Sequence, residues 1–235
     1  TVAQDLEPEY VAVAAGSRTA WVTLQEANAV AVVHVKRAVV TEIKALGLKD
    51  HRLPGNGLDP SDRDGGIAIG NWPVYGMYLP DAIESYEFKG RTFYVTANEG
   101  DARAYDTFEE EVRVSALPLD TAAFPDAAFL KDNARLGRLT VTNASGDTDG
   151  DGEFDEIHVF GARSFTIWNE AGKAVFDTGD ALERLTSIPG QFNSNHEEGN
   201  SFDTRSDNKG PEPEGIELGA VGKSLYAFVG LERIG

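Results

Sequence analysis

Short apolar or alternating segments, separated by turn residues, recur along the whole chain, and this pattern restricts the possible folds most. Each segment is about four to eight residues long, a length typical of β-strands and short for helices. In the first quarter of the chain they follow one another at regular spacing, which predicts one antiparallel sheet of four strands. These segments are Val11–Ala14, Thr19–Leu24, Ala29–Val35 and Val39–Leu46.

The same pattern returns further along the chain. It predicts strands at Ile83–Phe88, Thr92–Ala97, Leu139–Asn143, Glu156–Gly161, Ser164–Asn169, Ala174–Thr178, Ile216–Gly219 and Ser224–Gly230. Three long inserts, 47–78, 101–137 and 181–211, are rich in Gly, Pro, Asp and Asn. Inserts of this length are usually binding loops or disordered segments, and the middle one carries a predicted short helix at Ala127–Asn133.

An acidic repeat accompanies the strands. Each unit begins with Pro and an acid, continues through two strands, and ends at a second acid. The pairs are Glu9 and Glu26, Asp81 and Glu99, and Glu214 and Glu232, and their separations agree to within one residue. Four-stranded sheets repeated in one register predict an all-β fold, a β-propeller with YVTN/integrin-like blades and long inter-blade insertions. A β-sandwich whose strands share turn chemistry is the alternative.

The predicted units lie near 6–46, 79–119, 137–179 and 212–235, which makes about three and a half blades. A propeller closes with about four to eight blades. We therefore expect residues 1–235 to be an incomplete N-terminal portion of a longer propeller. The missing C-terminal remainder is the expected partner, since it would cover the open sheet edges.

Charge and composition exclude several classes of protein. The formal net charge of −18 argues against nucleic acid and anionic membranes, because both repel an acidic surface. No apolar run approaches the length of a membrane span. The absence of cysteine removes disulfides, zinc thiolate sites and cysteine nucleophiles. An exported location remains compatible with this composition, because calcium can stabilise loops where disulfides are missing.

The segment 147–155 carries the strongest chemical motif. Calcium prefers six to eight oxygen ligands. Carboxylates at loop positions 1, 3, 5 and 9 and the carbonyl at position 7 would supply most of them, and Gly152 permits the sharp turn between. The predicted ligands are Asp147, Asp149, Asp151, Glu153 and Asp155. The motif predicts an EF-hand-like Ca²⁺ loop between two strands, and the alternative is an acidic, solvated turn.

The repeat acids form a second candidate site. If equivalent blade positions face the channel, these carboxylates converge at its mouth and must share protons, pair with cations or hold metal. The predicted cluster contains Glu9, Glu26, Asp81, Glu99, Asp101, Glu214 and Glu232. The candidate catalytic groups beside it are Arg103, Arg205, Arg233 and His196. The alternatives are that each acid braces its own blade through backbone N–H groups or is simply solvated.

Two further acid-rich segments, Asp62–Gly66 and Asp203–Asp207, are weaker candidates for calcium because neither has the full ligand spacing. His34 and His158 lie on predicted strands, where a structural role is expected. No nucleophile elbow of the Gly-x-Ser-x-Gly type is present.

Several long segments resemble the choice-of-anchor I family. They are Leu6–Tyr10, Thr23–Glu26, Leu53–Gly57, Asn71–Gly76, Thr96–Asp101, Gly146–Glu156, Phe160–Phe165, Gly210–Gly215 and Gly230–Gly235. The resemblance covers essentially the whole chain. It implies a YVTN-type propeller and an extracellular, periplasmic or cell-surface location. Bacterial members of the family are often labelled alkaline phosphatase, and segments 98–101 and 213–215 also resemble calcium-dependent phytase-like propellers.

Two functions follow from these observations. The first is an extracellular binding or structural module, in which Ca²⁺ stiffens the fold and the long loops meet a polymer, a mineral or another partner. The second is a calcium-dependent phosphoesterase acting on a phosphoester ligand. In the second case Glu99, Asp101, Glu214 and Glu232 would hold metal, and an arginine would stabilise the phosphoryl oxygens.

Overall fold

The structure is a computed structural model that describes residues 5–188, 190–196, 198 and 201–234. Strands account for 39% of it and helices for 7%, so the predicted all-β class is confirmed. No helix in these ranges is long and apolar enough to cross a membrane.

The strands of the first half are β1 (Pro8–Val13), β2 (Thr19–Leu24), β3 (Ala29–His34), β4 (Val39–Ala45), β5 (Leu48–Asp50), β6 (Tyr75–Met77), β7 (Ile83–Phe88), β8 (Arg91–Asn98), β9 (Ala104–Tyr105), β10 (Phe108–Glu109) and β11 (Glu111–Arg113). The second half contains β12 (Thr140–Thr142), β13 (His158–Phe160), β14 (Ser164–Asn169), β15 (Ala174–Asp177), β16 (Pro213–Val221) and β17 (Ser224–Leu231). The α-helices of the described ranges are α1 (Ala127–Leu130) and α2 (Ala181–Leu185).

Strands β1 to β4 form the predicted antiparallel sheet, in chain order. Successive side chains of a strand point to opposite faces, so one face of this sheet buries Ala12, Trp21 and Val30. Asn28 makes the turn between β2 and β3 in the left-handed region (φ 48°), which asparagine tolerates better than most residues. The outermost strand, β4, exposes nearly every side chain.

The second four-stranded sheet has the order β15-β14-β8-β7 and is interrupted in sequence by residues 99–163. Strands β8 and β14 pair along six residues despite that separation. Rings from the two sheets stack in one core: Tyr94 lies 5.5 Å from Trp21 and 6.3 Å from Trp168 between centroids. Strands β7 and β8, predicted to open the unit near 79–119, therefore share one sheet with β14 and β15, predicted to close the unit near 137–179. The boundaries of these two units in the structure differ from the predicted ones.

The first two predicted inserts fold together. Their strands β5, β6 and β11 join β12 and β13 in a five-stranded sheet in the order β11-β12-β13-β6-β5, in which β13 and β6 run parallel. A separate apolar core lies under this sheet and includes Val74, Leu139 and Ile157. Segments 139–143 and 156–161, predicted as blade strands, thus belong to this insert sheet. The insert residues form strands because their scattered apolar side chains bury one another only when both inserts meet.

The hairpin β16–β17 packs through Ile216 against β7 and β8. Strand β1 contacts β7, and β7 contacts β16, so the first strands of the three repeat units are neighbours. Each unit starts with a residue of positive φ before a proline: Glu7 (33°), Leu79 (45°) and Glu212 (48°). The repeat is therefore structural as well as sequential. The described residues form no closed barrel or propeller ring.

Candidate functional site

Residues 147–155 connect β12 and β13, which are antiparallel neighbours. The carbonyl oxygen of Gly146 accepts hydrogen bonds from the backbone N–H groups of Asp155 (2.9 Å) and Glu156 (3.0 Å), and these bonds close the base of the loop. The loop therefore lies between two strands, as its sequence predicts. The pair of strands belongs to the insert sheet and not to a four-stranded blade.

The carboxylates of Asp147, Asp149 and Asp151 each place an oxygen within 4.8 Å of the other two. Gly150 (φ 82°) and Gly152 (φ 93°) take the left-handed conformation, which costs glycine little because it has no Cβ. Both glycines donate their N–H groups to the Asp147 carboxylate, at 2.6 and 3.0 Å, and so fix it in the loop. Converging carboxylate oxygens in a turn are the donor set that calcium prefers, so these residues fit the ion.

The two other predicted ligands are placed differently. Asp155 accepts hydrogen bonds from the hydroxyl and the backbone N–H of Thr148, at 2.6 and 2.8 Å, and these bonds lower the pKa of Asp155 below its usual range. Glu153 is exposed, and its predicted contribution is a backbone carbonyl. The structure thus brings three predicted ligands together and holds the fourth carboxylate on Thr148.

His158, at the twelfth loop position, braces the base of the loop. Its Nδ1 is hydrogen-bonded to Ser145 Oγ at 2.8 Å and its Nε2 to Glu156 Oε2 at 2.9 Å. The buried ring also meets Tyr75 edge-on, with 6.1 Å between centroids. These contacts fit the structural role expected for this histidine.

A second group of carboxylates lies where the repeat units meet. Glu99 follows β8, Glu232 follows β17, and Glu212 immediately precedes β16. These three residues, here called the junction trio, each place a carboxylate oxygen within 4.8 Å of the other two. The sequence predicted Glu99 and Glu232 but missed Glu212. The sequence does carry a signal for Glu212, because this residue precedes the proline of its repeat unit as Glu7 does.

Three cations neutralise the junction trio. Lys209 Nζ lies 2.7 Å from Glu99 Oε1, and Arg205 Nε lies 2.5 Å from Glu212 Oε1. Arg233 contacts both Glu212 and Glu232, each at 3.1 Å. Three carboxylates therefore face three cationic side chains. An ion-pair network of this kind is balanced in charge without a metal.

Burial and neighbouring charge separate the trio's proton affinities. Burial, and then the hydrogen bond and charge of Glu212, raise the pKa of Glu232 to about 7. Burial also raises the pKa of Glu99, against the opposing effect of Lys209. Burial would raise the pKa of Glu212, but the hydrogen bond and charge of Arg205, together with the charge of Lys209 and the hydrogen bond from Glu232, outweigh it and lower this pKa. Glu232 is therefore the member that carries a proton most readily.

The remaining repeat acids interact through their charges with the trio or with one another. Burial is the main cause that raises the pKa of Glu26 to about 7, and the charges of Glu7, Asp101 and Glu9 add to it. Burial likewise raises the pKa of Asp81 to about 6, with Glu99, Glu214 and Glu9 adding to it. Each predicted repeat acid is thus electrostatically coupled to at least one other. Asp81 and Glu214 also line an open hollow of about 430 Å³.

The other candidates fall outside the trio. Arg103 pairs with Asp5 (3.4 Å) and Glu110 (3.5 Å). His196 is exposed on a turn, and residues 197, 199 and 200 beside it lie outside the described residues. Arg138 joins the two weaker acid-rich segments, since it bonds Asp62 at 2.9 Å and Asp207 at 2.7 Å.

Comparison with known proteins gives a consistent result. The sequence model of the choice-of-anchor I domain matches residues 1–235. Gigasin-3a of Magallana gigas is 31% identical over 113 residues, which cover 45% of this chain and 39% of that protein. The mesenchyme-specific cell surface glycoprotein of Strongylocentrotus purpuratus is 26% identical over 234 residues, covering 82% of this chain and 29% of that protein. The chain thus spans well under half the length of these relatives. No solved structure matches it.

Proposed function

The chain belongs to the choice-of-anchor I domain family, and we propose that it is part of an extracellular or cell-surface β-propeller that binds Ca²⁺ and serves as a binding or structural module. The name of the Strongylocentrotus purpuratus relative, a cell surface glycoprotein, supports the location. The observation that carries the calcium proposal is the convergence of Asp147, Asp149 and Asp151 in one loop.

The physical argument for calcium is charge repulsion. No cationic nitrogen among the described residues lies within 4.0 Å of the carboxylates of Asp147, Asp149 or Asp151. Three carboxylates held this close repel one another, and a divalent cation converts that repulsion into attraction. Bound there, calcium would hold the connection between β12 and β13 and so stiffen the insert sheet.

The propeller proposal rests on the neighbouring repeat units. Two four-stranded antiparallel sheets and a hairpin lie side by side, and their first strands are in contact. Large apolar side chains stay exposed on both flanks of this array, among them Val11, Val40, Tyr226 and Phe228. Further blades from the remainder of a longer protein would cover these flanks. The inserts would then present loops to an extracellular polymer or mineral.

A calcium-dependent phosphoesterase is the second candidate function. It is favoured by the junction trio, whose carboxylate oxygens converge beside Arg205 and Arg233. In that reading the trio would hold the metal and an arginine would bind the phosphoryl oxygens of a phosphoester ligand. We rank it second because Lys209 and the two arginines already compensate the trio's charge, whereas the three loop aspartates have no such partner.

A calcium titration tests the first function. In the unsubstituted chain, calcium at about a hundred times its Kd should stabilise the fold by about 2.7 kcal/mol and raise Tm by at least about 5 °C. Asp149→Asn should reduce this rise markedly, because it removes one of the loop's negative charges while it keeps the size and shape of the side chain. Asp106→Asn, on an exposed turn, is the matched control and should keep the rise. An equal rise in both variants would contradict a site in the loop.

Hydrolysis of p-nitrophenyl phosphate with and without calcium tests the second function. Activity that depends on calcium and is lost in Glu99→Gln, but kept in Asp149→Asn, would assign chemistry to the junction trio. Absence of turnover in all three proteins leaves the binding module as the better account. The fold of Glu99→Gln is checked by its thermal transition in the same buffer.

A further inference from the structure

A hollow of about 440 Å³ lies between the first four-stranded sheet, β1 to β4, and the second, β15-β14-β8-β7. Three small residues of the β1–β2 turn, Ala14, Ala15 and Gly16, form part of its lining. Their side chains leave space here, and a Cβ added to Gly16 would have no atom within 4 Å. The volume is in the range of small-ligand pockets, about 300–1,000 Å³. Both walls of this hollow belong to the described residues, unlike the open flanks of the array.

Three exposed, charged side chains also line the hollow: Arg18 from the β1–β2 turn, Glu87 from β7 and Glu170 from the turn after β14. No carboxylate oxygen of the described ranges lies within 4.0 Å of the Arg18 guanidinium, and no cationic nitrogen lies within 4.0 Å of the Glu87 or Glu170 carboxylate. Ion pairing therefore does not take up the hydrogen-bonding capacity of these three groups.

A buried donor adds a separate observation. Trp21 lines the hollow and is only 2% exposed, yet its indole N–H has no hydrogen-bond partner within the part of the chain that the structure describes. The ring stacks on Tyr94 with 5.5 Å between centroids, so packing holds the indole in place. An unpaired buried N–H group is costly. An oxygen atom that enters the hollow and accepts from Trp21 would remove that cost.

The lining suits a ligand that both donates and accepts hydrogen bonds. Arg18 and Trp21 can only donate, whereas Glu87 and Glu170 accept. A hydroxyl group does both, and a sugar ring carries several hydroxyls around its edge and C–H groups on its faces. The methyl groups of the two lining alanines can pack on such a face. Because two carboxylates face one guanidinium, and the chain carries a net charge of −18, an anionic polymer is disfavoured.

We propose that this hollow binds a sugar unit of a neutral polysaccharide. Glu87 and Glu170 accept hydrogen bonds from its hydroxyls, and Arg18 and the Trp21 indole donate to its oxygens. This inference rests on the proposed function, since it names the class of extracellular polymer that the binding module meets. It is independent of the calcium loop, which belongs to the insert sheet and not to the two sheets that enclose the hollow.

Calorimetric titration with three neutral oligosaccharides, cellohexaose, laminarihexaose and chitohexaose, tests the proposal. We expect at least one to bind and to shift the NMR resonance of the Trp21 indole N–H, which Trp21→Phe identifies. Arg18→Ala and Glu87→Ala should each weaken binding about tenfold, because each removes a hydrogen bond to a charged group. Both side chains are exposed, so little change in Tm is expected. Arg91→Ala is the matched control, because Arg91 is exposed at the start of β8 but does not line the hollow.

A blocking variant tests the location without removing a polar group. Ala15→Trp should fill the hollow and abolish binding, and its thermal transition reports whether the fold is kept. Three results would overturn the proposal: no heat and no shift of the Trp21 resonance with any of the three probes, which leaves only water in the hollow; equal affinity in Arg18→Ala and Arg91→Ala; or tighter binding of the anionic polymer polygalacturonate.

The calcium titration described above keeps this inference separable from the proposed function. A chain whose Tm rises with calcium but that binds none of the hexasaccharides retains the calcium module and loses the sugar site. A chain that binds a hexasaccharide without a rise in Tm on addition of calcium retains the sugar site and loses the calcium module.

Discussion

At the scale of single residues, the fate of an acidic group depends on which cations its environment supplies. The junction trio is the more buried group, yet Lys209, Arg205 and Arg233 neutralise it. The loop aspartates are more exposed and have no cationic partner within 4.0 Å among the described residues. Convergence alone therefore does not identify a metal site. The balance of charge around the carboxylates separates a structural ion-pair network from a place that needs an ion.

Glu232 gives a pH prediction at this scale. Its pKa rises from 4.5 to about 7 on folding, so the folded state holds the proton more tightly than the unfolded state. The resulting stabilisation is fully present below pH 4.5 and is lost as the pH rises towards 7. In chelator, Tm of the unsubstituted chain should fall between pH 5 and 8, and Glu232→Gln should flatten this decline. The exposed Glu170→Gln serves as the control, and an unchanged slope in Glu232→Gln would contradict the assignment.

At the scale of elements, the insert sheet is joined to the second blade-like sheet by two backbone segments in close contact. The chain leaves the second four-stranded sheet after β8 through Gly100 and returns to it before β14 through Gly161. Both glycines have positive φ, 98° and 76°. A Cβ on Gly161 would overlap the carbonyl group of Glu99, and one on Gly100 would overlap the backbone of Gly161. Only glycine lets the two connecting segments approach this closely. This contact therefore positions Glu99 in the junction trio.

Gly161→Ala tests that crossing. We expect it to lower the free energy of unfolding by about 2–4 kcal/mol, the sum of left-handed strain and overpacking. Gly222→Ala is the matched control: its φ is 64°, but no atom lies within 4 Å of the added Cβ, so only the strain of about 1 kcal/mol remains. Urea denaturation measures both. Equal losses in the two variants would show that the close approach contributes nothing.

At the scale of the whole molecule, the array of sheets leaves a large apolar surface uncovered. The hairpin β16–β17 exposes Leu225, Tyr226 and Phe228 by about half each. A groove of about 460 Å³ runs between this hairpin and the second sheet, lined in part by Tyr86 and Phe88. Tyr226 and Phe228 share one face of β17, and Leu225 lies on the other face, because successive side chains of a strand alternate. The groove is the surface on which a further blade would pack in the proposed propeller.

Self-association of the isolated chain tests this surface. We expect the chain to associate in sedimentation as its concentration rises, and Leu225→Lys to weaken that association at least about tenfold with little change in Tm. Leu185→Lys is the control, since Leu185 is 75% exposed on α2 and does not line the groove. If both variants associate as the unsubstituted chain does, the groove is not the surface through which the chain self-associates.

The sequence by itself determined the strands outside the inserts and the acidic loop. Period-two alternation and turn residues placed Thr19–Leu24, Ile83–Phe88 and Ser164–Asn169 with the bounds they have in the structure. The loop 147–155 was predicted between two strands, and it lies there. Both signals are local: side-chain alternation and turn conformation depend on neighbouring residues, so a sequence window contains the information.

Only the tertiary structure decided which strands share a sheet and which acids have partners. Residues 99–163 separate β8 from β14 in sequence. The pairing of these two strands depends on a core built from distant rings such as Trp21 and Tyr94. The neutralisation of Glu99 by Lys209 and of Glu212 by Arg233 joins segments remote in sequence. Burial and charge compensation are properties of the packed chain, because they depend on what surrounds a group in space and not on its neighbours in sequence.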